Sequence, residues 1–198
     1  MSANFHPLVY IIDYILGVIM WTLIGRVAMN IFQREDSQFF FMRVFVKFTN
    51  PLISLFKPIT INKLEVPNRI AMAPMTRMMS PDGVPGDNVR DYYQRRAAGE
   101  VGLIITEGVE VSHPSSSGYP NVPGFRDKAD EGWKQVVDAV HSEGSKIFPQ
   151  LWHVGAFRKP GMAPDPEVPG YTPSGLVNTD KKAAHEMTAE DVEMLIEC

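Results

Sequence analysis

The chain has 198 residues, enough for one ordinary domain with its own core, or for a small domain with an appendage. Its formal net charge of -4 gives no electrostatic reason to expect nucleic acid, which usually binds a basic face. Its single cysteine, Cys198, excludes an internal disulfide and a cysteine-based metal site.

The first predicted element is a membrane-spanning helix. Residues 8–25 read LVYIIDYILGVIMWTLIG, with Asp13 as the one charge, and the apolar pattern continues to Phe32. At about 1.5 Å per residue this run nearly spans a hydrocarbon core of about 30 Å. A signal peptide fits less well, because no Lys or Arg precedes the run and no small-residue cleavage site follows it. A buried helix of a soluble protein is the alternative that stays open.

Basic residues determine the predicted orientation of this span. None precedes it, whereas the residues that come soon after it include Arg26, Arg34, Arg43 and Lys47. The positive-inside rule therefore places the N-terminus outside and the residues after Phe32 in the cytoplasm.

A second apolar run, FFFMRVFVKFTNPLISLF, covers residues 39–56. Its polar residues recur at steps of four, three and four and so share one helical face; they are Arg43, Lys47, Asn50 and Ser54. This pattern is typical of a helix in the membrane interface, which Pro51 is expected to kink or restart. A second short span is the alternative.

The N-terminal stretch is similar to the YggT-type family of small bacterial integral membrane proteins, through ILGVIMWTLIGRVAMNIF and FTNPLISLFKPI. From this resemblance and the two apolar runs together, residues 1–57 are expected to form a membrane-associated helical segment, with membrane contact over residues 8–56.

From residue 58 the chain alternates predicted strands and helices. Strands are predicted at 69–72, 101–108 and 146–152, and helices at 87–98 and 127–143, the second with Gly144 at its C-cap. The continuous apolar run of the middle strand predicts burial on both faces. This order with short connections favours right-handed βαβ units and a parallel sheet.

The remaining residues predict a loop and one more helix. Residues 153–182 are rich in Pro and Gly, and so long a loop within a domain is usually a lid or binding loop. Thr188 with Asp191 is a variant of the capping box and predicts a helix over 189–198.

Unusual residues follow the three predicted strands, at the edge where parallel α/β folds bind ligands. These segments are Ala73–Arg77, Thr106–Gly108 and Pro149–His153. On physical grounds Gln150 in a buried strand is costly unless it is paired, whereas Thr76 could simply cap a turn. Trp152 is more often a core residue than a pocket residue.

The ionisable residues near these strands have simpler interpretations. His153 is expected to be a structural histidine with satisfied hydrogen bonds, and the other four histidines are scattered in the sequence. Glu107 is expected to be a buried carboxylate bonded to backbone, with its role left open. No metal site is predicted.

Four motifs occur in order: LFKPITINKLEVPNRIAMAPMTR, GLIITEGVEVS, GYPNVPGF and QLWHVG. In this order and spacing they resemble the first half of the old yellow enzyme family of FMN-dependent ene-reductases, over residues 55–198. That family is built on a (β/α)8 barrel. The resemblance implies an α/β fold in which residues 58–198 form the N-terminal half of an FMN-binding TIM barrel. These are its first three to four βα units, preceded by one or two membrane-associated helices.

The resemblance also assigns site residues. Pro74, Met75 and Thr76 would lie against the isoalloxazine, Gly108 would let backbone approach the ring, and Gln150 would pair with its pyrimidine end. Tyr119 and Trp152 match positions that line the substrate pocket.

The implied function is reduction of an activated alkene, with FMN as cofactor and NAD(P)H as reductant. In the family, three groups come from later strands: the histidine pair, or His/Asn pair, that binds the substrate carbonyl, the proton-donating tyrosine, and the basic residues for the flavin phosphate. No catalytic residue is therefore assigned, and the chain by itself is expected to be of doubtful activity. The alternative is an integral membrane protein with a structural or transport-related role in residues 1–57, fused to a non-functional enzyme fragment.

Overall fold

The computed structural model describes residues 7–32, 34–35, 38–125, 128–163 and 165–197. It divides into two units, Met1–Lys57 and Pro58–Cys198.

The first unit contains two helices, α1 at Pro7–Asn30 and α2 at Phe40–Ile53. Both predicted apolar runs are therefore helical, and α1 is long and apolar enough to cross a membrane by length and composition. Pro51 lies in the last turn of α2, after which the chain continues as a 3-10 turn at Ser54–Phe56. The helix continues through Pro51 to Ile53 before this tighter turn, so it does not restart at the proline, although Pro51 lacks the N–H that would bond the carbonyl four residues earlier.

A buried arginine joins the two helices. Arg26 of α1 is 3% exposed. Its Nη1 donates to Thr49 Oγ1 at 2.8 Å and to Asn50 Oδ1 at 2.7 Å, and its Nη2 donates to Glu35 Oε1 at 2.6 Å. Because a buried guanidinium is costly unless its donors are satisfied, this network ties α1 to α2.

The second unit begins with a hairpin that the sequence patterns did not predict. Strands β1 (Ile59–Ile61) and β2 (Leu64–Val66) pair antiparallel, and Asn62 in the turn adopts a φ of 55°. Asparagine tolerates the left-handed region better than most residues, so the turn forms at Asn62–Lys63.

The predicted parallel sheet is present. Its strands are β3 (Ala71–Met72), β4 (Leu103–Glu110) and β5 (Lys146–Trp152), in the order β3-β4-β5. The middle strand begins and ends two residues later than predicted. β4 is the central strand because it follows a crossover through one helix and precedes a crossover through another.

Helices α3 (Asp87–Ala98) and α4 (Ala129–Ser142) make those crossovers. The predicted bounds of α3 are confirmed, and the predicted start of α4 at Asp127 lies outside the described residues. Gly144 has a φ of +82° and follows the last turn of α4, as a C-cap glycine should. The core between these helices and the sheet contains Val89, Tyr93, Ala97, Ile104, Val109, Ala129, Trp133, Val136 and Val140.

The opposite face of the sheet is more open than predicted. Leu103 and Ile105 of β4 are only half-buried, and Phe148 of β5 is 46% exposed. The prediction that the middle strand is buried on both faces is thus wrong for these side chains, because α3 and α4 share one core on one face.

The predicted long loop contains more structure than expected. Short strands occur at β6 (Tyr171–Thr172), β7 (Leu176–Asn178), β8 (Lys181–Lys182) and β9 (His185–Glu186). Backbone pairing of β6 with β9 and of β7 with β8 orders the second half of the segment.

The predicted capping box opens α5 (Ala189–Glu197). Thr188 N donates to Asp191 Oδ2 at 2.8 Å, and Asp191 N donates to Thr188 Oγ1 at 3.2 Å. The Thr188 N–H, followed by His185, lowers the pKa of Asp191 to about 2. The predicted last residue of this helix, Cys198, lies outside the described residues.

Candidate functional site

The carboxyl ends of β3, β4 and β5 lie at one edge of the sheet, because the three strands are parallel. Met72 pairs with Ile104, and Gly108 pairs with Gln150. The three predicted ligand segments therefore follow one another along this edge, which is where parallel α/β folds place their sites.

The segment after β3 presents the predicted residues Pro74, Met75 and Thr76 to solvent, and Met75 is 50% exposed. Among the described residues, the Thr76 hydroxyl forms no hydrogen bond, so the expected turn-capping role is not realised in this state. A free hydroxyl at this position can bind a polar ligand.

Gln150 of β5 is exposed, which corrects the expectation of a buried amide that needs a partner. Gln150 follows Phe148 by two residues, so the two side chains share the open face of the sheet, away from α3 and α4. Its side-chain amide forms no hydrogen bond within the described part of the chain and therefore offers both a donor and an acceptor to a ligand.

Gly108 lies beneath an aromatic ring. A Cβ on Gly108 would lie 2.4 Å from Trp152 Cε3, so the space of a side chain is taken by the indole. Packing of the Trp152 ring is therefore a sufficient reason for glycine at position 108. The close approach of a flavin to Gly108 stays a prediction. Trp152 in turn stacks on Tyr119 with ring centroids 5.7 Å apart and an interplanar angle of 13°.

This aromatic pair borders a cavity of about 310 Å³. The lining residues are Tyr119, Trp152, His153, Val154 and Phe157. Trp152 is therefore a pocket residue as well as a packing residue. The cavity has the aromatic lining usual for small-molecule sites.

Arg77 and Thr106 lie in the segments predicted at the ligand edge, but no role in the site was assigned to either of them. Glu107 is fully buried and forms an ion pair with Arg77, with 2.9 Å between Arg77 Nη2 and Glu107 Oε1. The expectation that Glu107 is a buried carboxylate bonded to backbone is confirmed, since Arg77 N donates to Glu107 Oε2 at 2.8 Å. The sequence signal for this ion pair is the presence of two opposite charges, Arg77 and Glu107, near the ends of two strands predicted to be adjacent.

Tyr93 of α3 completes the polar contacts of Glu107. Glu107 N donates to Tyr93 Oη at 2.8 Å inside the core. Burial raises the pKa of Tyr93 to about 12. The hydroxyl is therefore neutral over the physiological range.

Two histidines that are distant in the sequence meet at Ser115. Ser115 Oγ lies 2.7 Å from His113 Nδ1 and 2.9 Å from His153 Nε2. His153 Nδ1 accepts the Gly155 N–H at 3.0 Å, which confirms the expected structural role of His153. Burial lowers the pKa of His113 and of His153, which favours the neutral rings that this network needs.

Arg158 organises the loop beside the aromatic cavity. It is 2% exposed and donates to five backbone carbonyls, those of Ser117, Met162, Ala163, Asp165 and Val168. These bonds satisfy the guanidinium without a carboxylate and fix the chain next to Phe157, which is 77% exposed.

These features define a class of protein: an α/β unit whose parallel strands end at a ligand edge with free polar groups and an aromatic cavity, as in (β/α)8 enzymes. Residues 54–198 match the model of the NADH:flavin oxidoreductase / NADH oxidase family. The chain belongs to this family, the old yellow enzyme family, as its four motifs predicted.

Individual relatives agree with this assignment. The 12-oxophytodienoate reductase 7 of Oryza sativa subsp. japonica is 44% identical over 102 residues, which are 51% of this chain and 25% of the reductase. A chanoclavine-I aldehyde reductase of Penicillium roqueforti is 44% identical over 113 residues, 56% of this chain and 30% of that protein.

Solved structures give the fold. Morphinone reductase in complex with tetrahydroNAD superposes with a TM-score of 0.64 at 34% identity, over 73% of this chain and 43% of that chain. The Old Yellow Enzyme of a Pichia species gives 0.63 at 33% identity, over 73% and 40%. The chain thus spans less than half the length of these relatives. The family uses FMN with NAD(P)H as reductant.

Proposed function

We propose that residues 58–198 supply the flavin-binding edge of an FMN-dependent ene-reductase that oxidises NAD(P)H and reduces an activated alkene. The observation that carries the proposal is the common edge of β3, β4 and β5, where Thr76 and Gln150 expose polar groups that have no hydrogen-bond partner among the described residues. The aromatic pair Tyr119 and Trp152 stands beside this edge.

The residues present fit an isoalloxazine. One end of this ring system needs both a donor and an acceptor, and the free amide of Gln150 provides both. Pro74 and Met75 offer apolar surface, and Thr76 offers a hydroxyl. When bound, FMN supplies the hydride chemistry.

The remaining residues orient the substrate and exclude water from it. Tyr119 and Trp152 form a flat aromatic wall, and Phe157 borders the same cavity. Such walls favour a planar apolar substrate, and a conjugated alkene beside a carbonyl has this shape. The substrate class of this proposal is therefore a small planar enone.

The test is titration of the detergent-purified chain with FMN, followed by flavin fluorescence and visible absorbance. We expect Gln150→Leu to weaken FMN binding about tenfold, because two ligand hydrogen bonds of about 0.5–1.5 kcal/mol each are lost. Gln135→Leu on the exposed side of α4 is the matched control and should bind as wild type does. No spectral change with the wild-type chain overturns the proposal, and alkene-dependent NADPH oxidation measures its turnover.

We propose in addition that residues 8–56 associate with a membrane, with the residues after Phe32 on the cytoplasmic side. What favours this is the exposure of large apolar side chains around α1, including Tyr14 at 74%, Trp21 at 67% and Val27 at 67%. Exposed apolar surface of this extent normally contacts lipid or a partner. Flotation of the chain with liposomes tests the association.

A role of residues 1–57 in structure or transport rests on the sequence resemblance alone, since the family match begins at residue 54. Flotation does not bear on that role. Deletion of residues 58–198 without a change in the behaviour of the protein would support it.

A further inference from the structure

A bulge in β4 lies within one of the three predicted ligand segments, Thr106–Gly108, and contacts the other two. The pairing of β4 with β5 shifts register between Ile105 and Gly108, so Thr106 and Glu107 are both buried although successive strand residues normally point to opposite faces. Bulges of this kind redirect side chains next to functional sites. Gly108, one of the predicted flavin residues, follows the bulge directly.

The first link runs from Glu107 to the segment after β3. Its carboxylate accepts the Arg77 N–H at 2.8 Å and the Arg77 Nη2 donor at 2.9 Å. The first of these bonds holds the peptide group between Thr76 and Arg77. The position of Thr76 therefore depends directly on Glu107.

Arg77 is itself held in place by aromatic rings. Its guanidinium carbon lies 3.7 Å from the ring centroid of Tyr92. The guanidinium carbon of Arg96 lies 3.5 Å from the same centroid. Arg77 Nε is buried and has no hydrogen-bond partner among the described residues. Glu107 is thus the group in this part of the chain that satisfies the charge of Arg77.

Glu107 is anchored to the rigid core. Its N–H donates to Tyr93 Oη at 2.8 Å, and both residues have zero exposed surface. A carboxylate so deeply buried cannot touch a ligand at the strand edge. It acts only through the residues it holds.

The second link runs from Thr106 to β5. Thr106 Oγ1 donates to the Glu107 carbonyl at 2.7 Å and accepts the Gln150 N–H at 3.2 Å. This hydroxyl bridges the place where the bulge interrupts the sheet ladder. The backbone of Gln150 is therefore fixed by Thr106.

We propose that Thr106 and Glu107 are the positioning residues of the flavin edge. Glu107 fixes Thr76 through Arg77, and Thr106 fixes Gln150, so the two polar groups that meet the ring are set at a defined spacing. This inference rests on the proposed FMN site and assigns the role of a buried ion pair that contacts no ligand.

The experiment replaces the buried ion pair by apolar side chains of similar size, in the variant Arg77→Met/Glu107→Leu. Removing both charges together avoids an unpaired buried charge, and such exchanges are often neutral for stability. We expect FMN binding to weaken about tenfold, in line with the 10- to 100-fold effect of partners that orient binding groups. We expect urea unfolding to stay close to wild type. Exchange of the amide hydrogen of residue 77, which donates to Glu107 in the wild-type chain, should become faster when it is measured without FMN.

Two further variants complete the test. Thr106→Val removes the hydroxyl at constant shape. It should weaken FMN binding and speed amide exchange at Gln150, while the Arg77 amide keeps its bond to Glu107 and its slow exchange. Lys134→Met/Asp138→Leu removes an exposed ion pair of α4 by the same chemistry and should leave FMN binding and exchange at the strand edge unchanged.

Each outcome decides one claim. If the wild-type chain binds FMN and the ion-pair variant binds it equally well, the positioning role is overturned. If the wild-type chain binds no FMN, the proposed function fails. The amide exchange data then decide by themselves whether Thr106 and Glu107 position the strand edge. Unchanged exchange of the amide of residue 77 in the folded variant then overturns the inference.

Discussion

At the scale of single residues, the site depends on buried polar groups that are satisfied by partners far away in the chain. Tyr93 is the clearest case, because its hydroxyl accepts the Glu107 N–H in a core from which water is excluded. Removing one partner of a buried hydrogen bond costs more than the bond itself contributes, since the other partner is left unsatisfied.

We therefore expect Tyr93→Phe to lower the free energy of unfolding by about 1–3 kcal/mol. The pKa of Tyr93 is raised from 10.0 to about 12. The contribution of the Tyr93 hydroxyl to the free energy of unfolding is therefore complete below pH 10 and is lost as pH rises towards 12. The reason is that the unfolded chain releases the phenolic proton first. The difference between wild type and Tyr93→Phe should accordingly narrow above pH 10.

Urea unfolding followed by circular dichroism, from about pH 8 to pH 11, measures this difference. Tyr92→Phe is the matched control, because it keeps the ring between Arg77 and Arg96 and should change stability little. A difference that stays constant across this range contradicts the interpretation of the raised pKa.

At the scale of elements, the central strand β4 carries the site, and α3 and α4 hold it from one face. The segment that leads into α3 packs closely on α4 because α4 carries a glycine at the contact. A Cβ on Gly132 would lie 2.3 Å from the Pro85 carbonyl oxygen, just ahead of α3.

Two effects compete when Gly132 is replaced by alanine. Helix propensity favours alanine by about 1 kcal/mol, whereas the clash with Pro85 forces helix or backbone to move, at a cost of about 1–3 kcal/mol. We expect the clash to dominate, so Gly132→Ala should lower the midpoint of urea unfolding. Gln135→Ala, on the exposed side of the same helix, should change stability by less than about 0.5 kcal/mol. A stabilised Gly132→Ala would show that α4 can move away from Pro85 without loss.

At the scale of the whole molecule, the chain joins a helical unit with exposed apolar side chains to a unit of the old yellow enzyme family. Membrane association predicts that an added charge in the middle of α1 is costly, about 2.5–3.5 kcal/mol for each Asp at a helix centre. We expect Ile15→Asp/Ile19→Asp to move the chain from the floating liposome fraction to the unbound fraction.

Val192→Asp/Ile196→Asp adds the same charges at exposed apolar positions of α5 and is the control, which should still float. Wild-type chain in the unbound fraction, or undiminished flotation of the α1 variant, rules out membrane association through α1.

Features that depend on neighbouring residues could be predicted from the sequence. Apolar spacing predicted α3 and β5 with their bounds, and the reciprocal bonds of Thr188 and Asp191 follow from a spacing of three residues. Four ordered motifs identified the family. The hairpin β1–β2 escaped prediction because each strand has only three residues, too few for a period to emerge.

Only the tertiary structure decided which polar groups are buried together and which stay free. Arg77 and Glu107 are thirty residues apart, and Ser115 and His153 are thirty-eight apart, so no local pattern connects them. Gln150 is exposed because both helices cover the other face of the sheet, which the sequence of β5 does not encode. Local patterns determine elements because their causes lie within a few residues. The pairing of buried charges depends on how the strands are brought side by side, and this happens only when the chain folds.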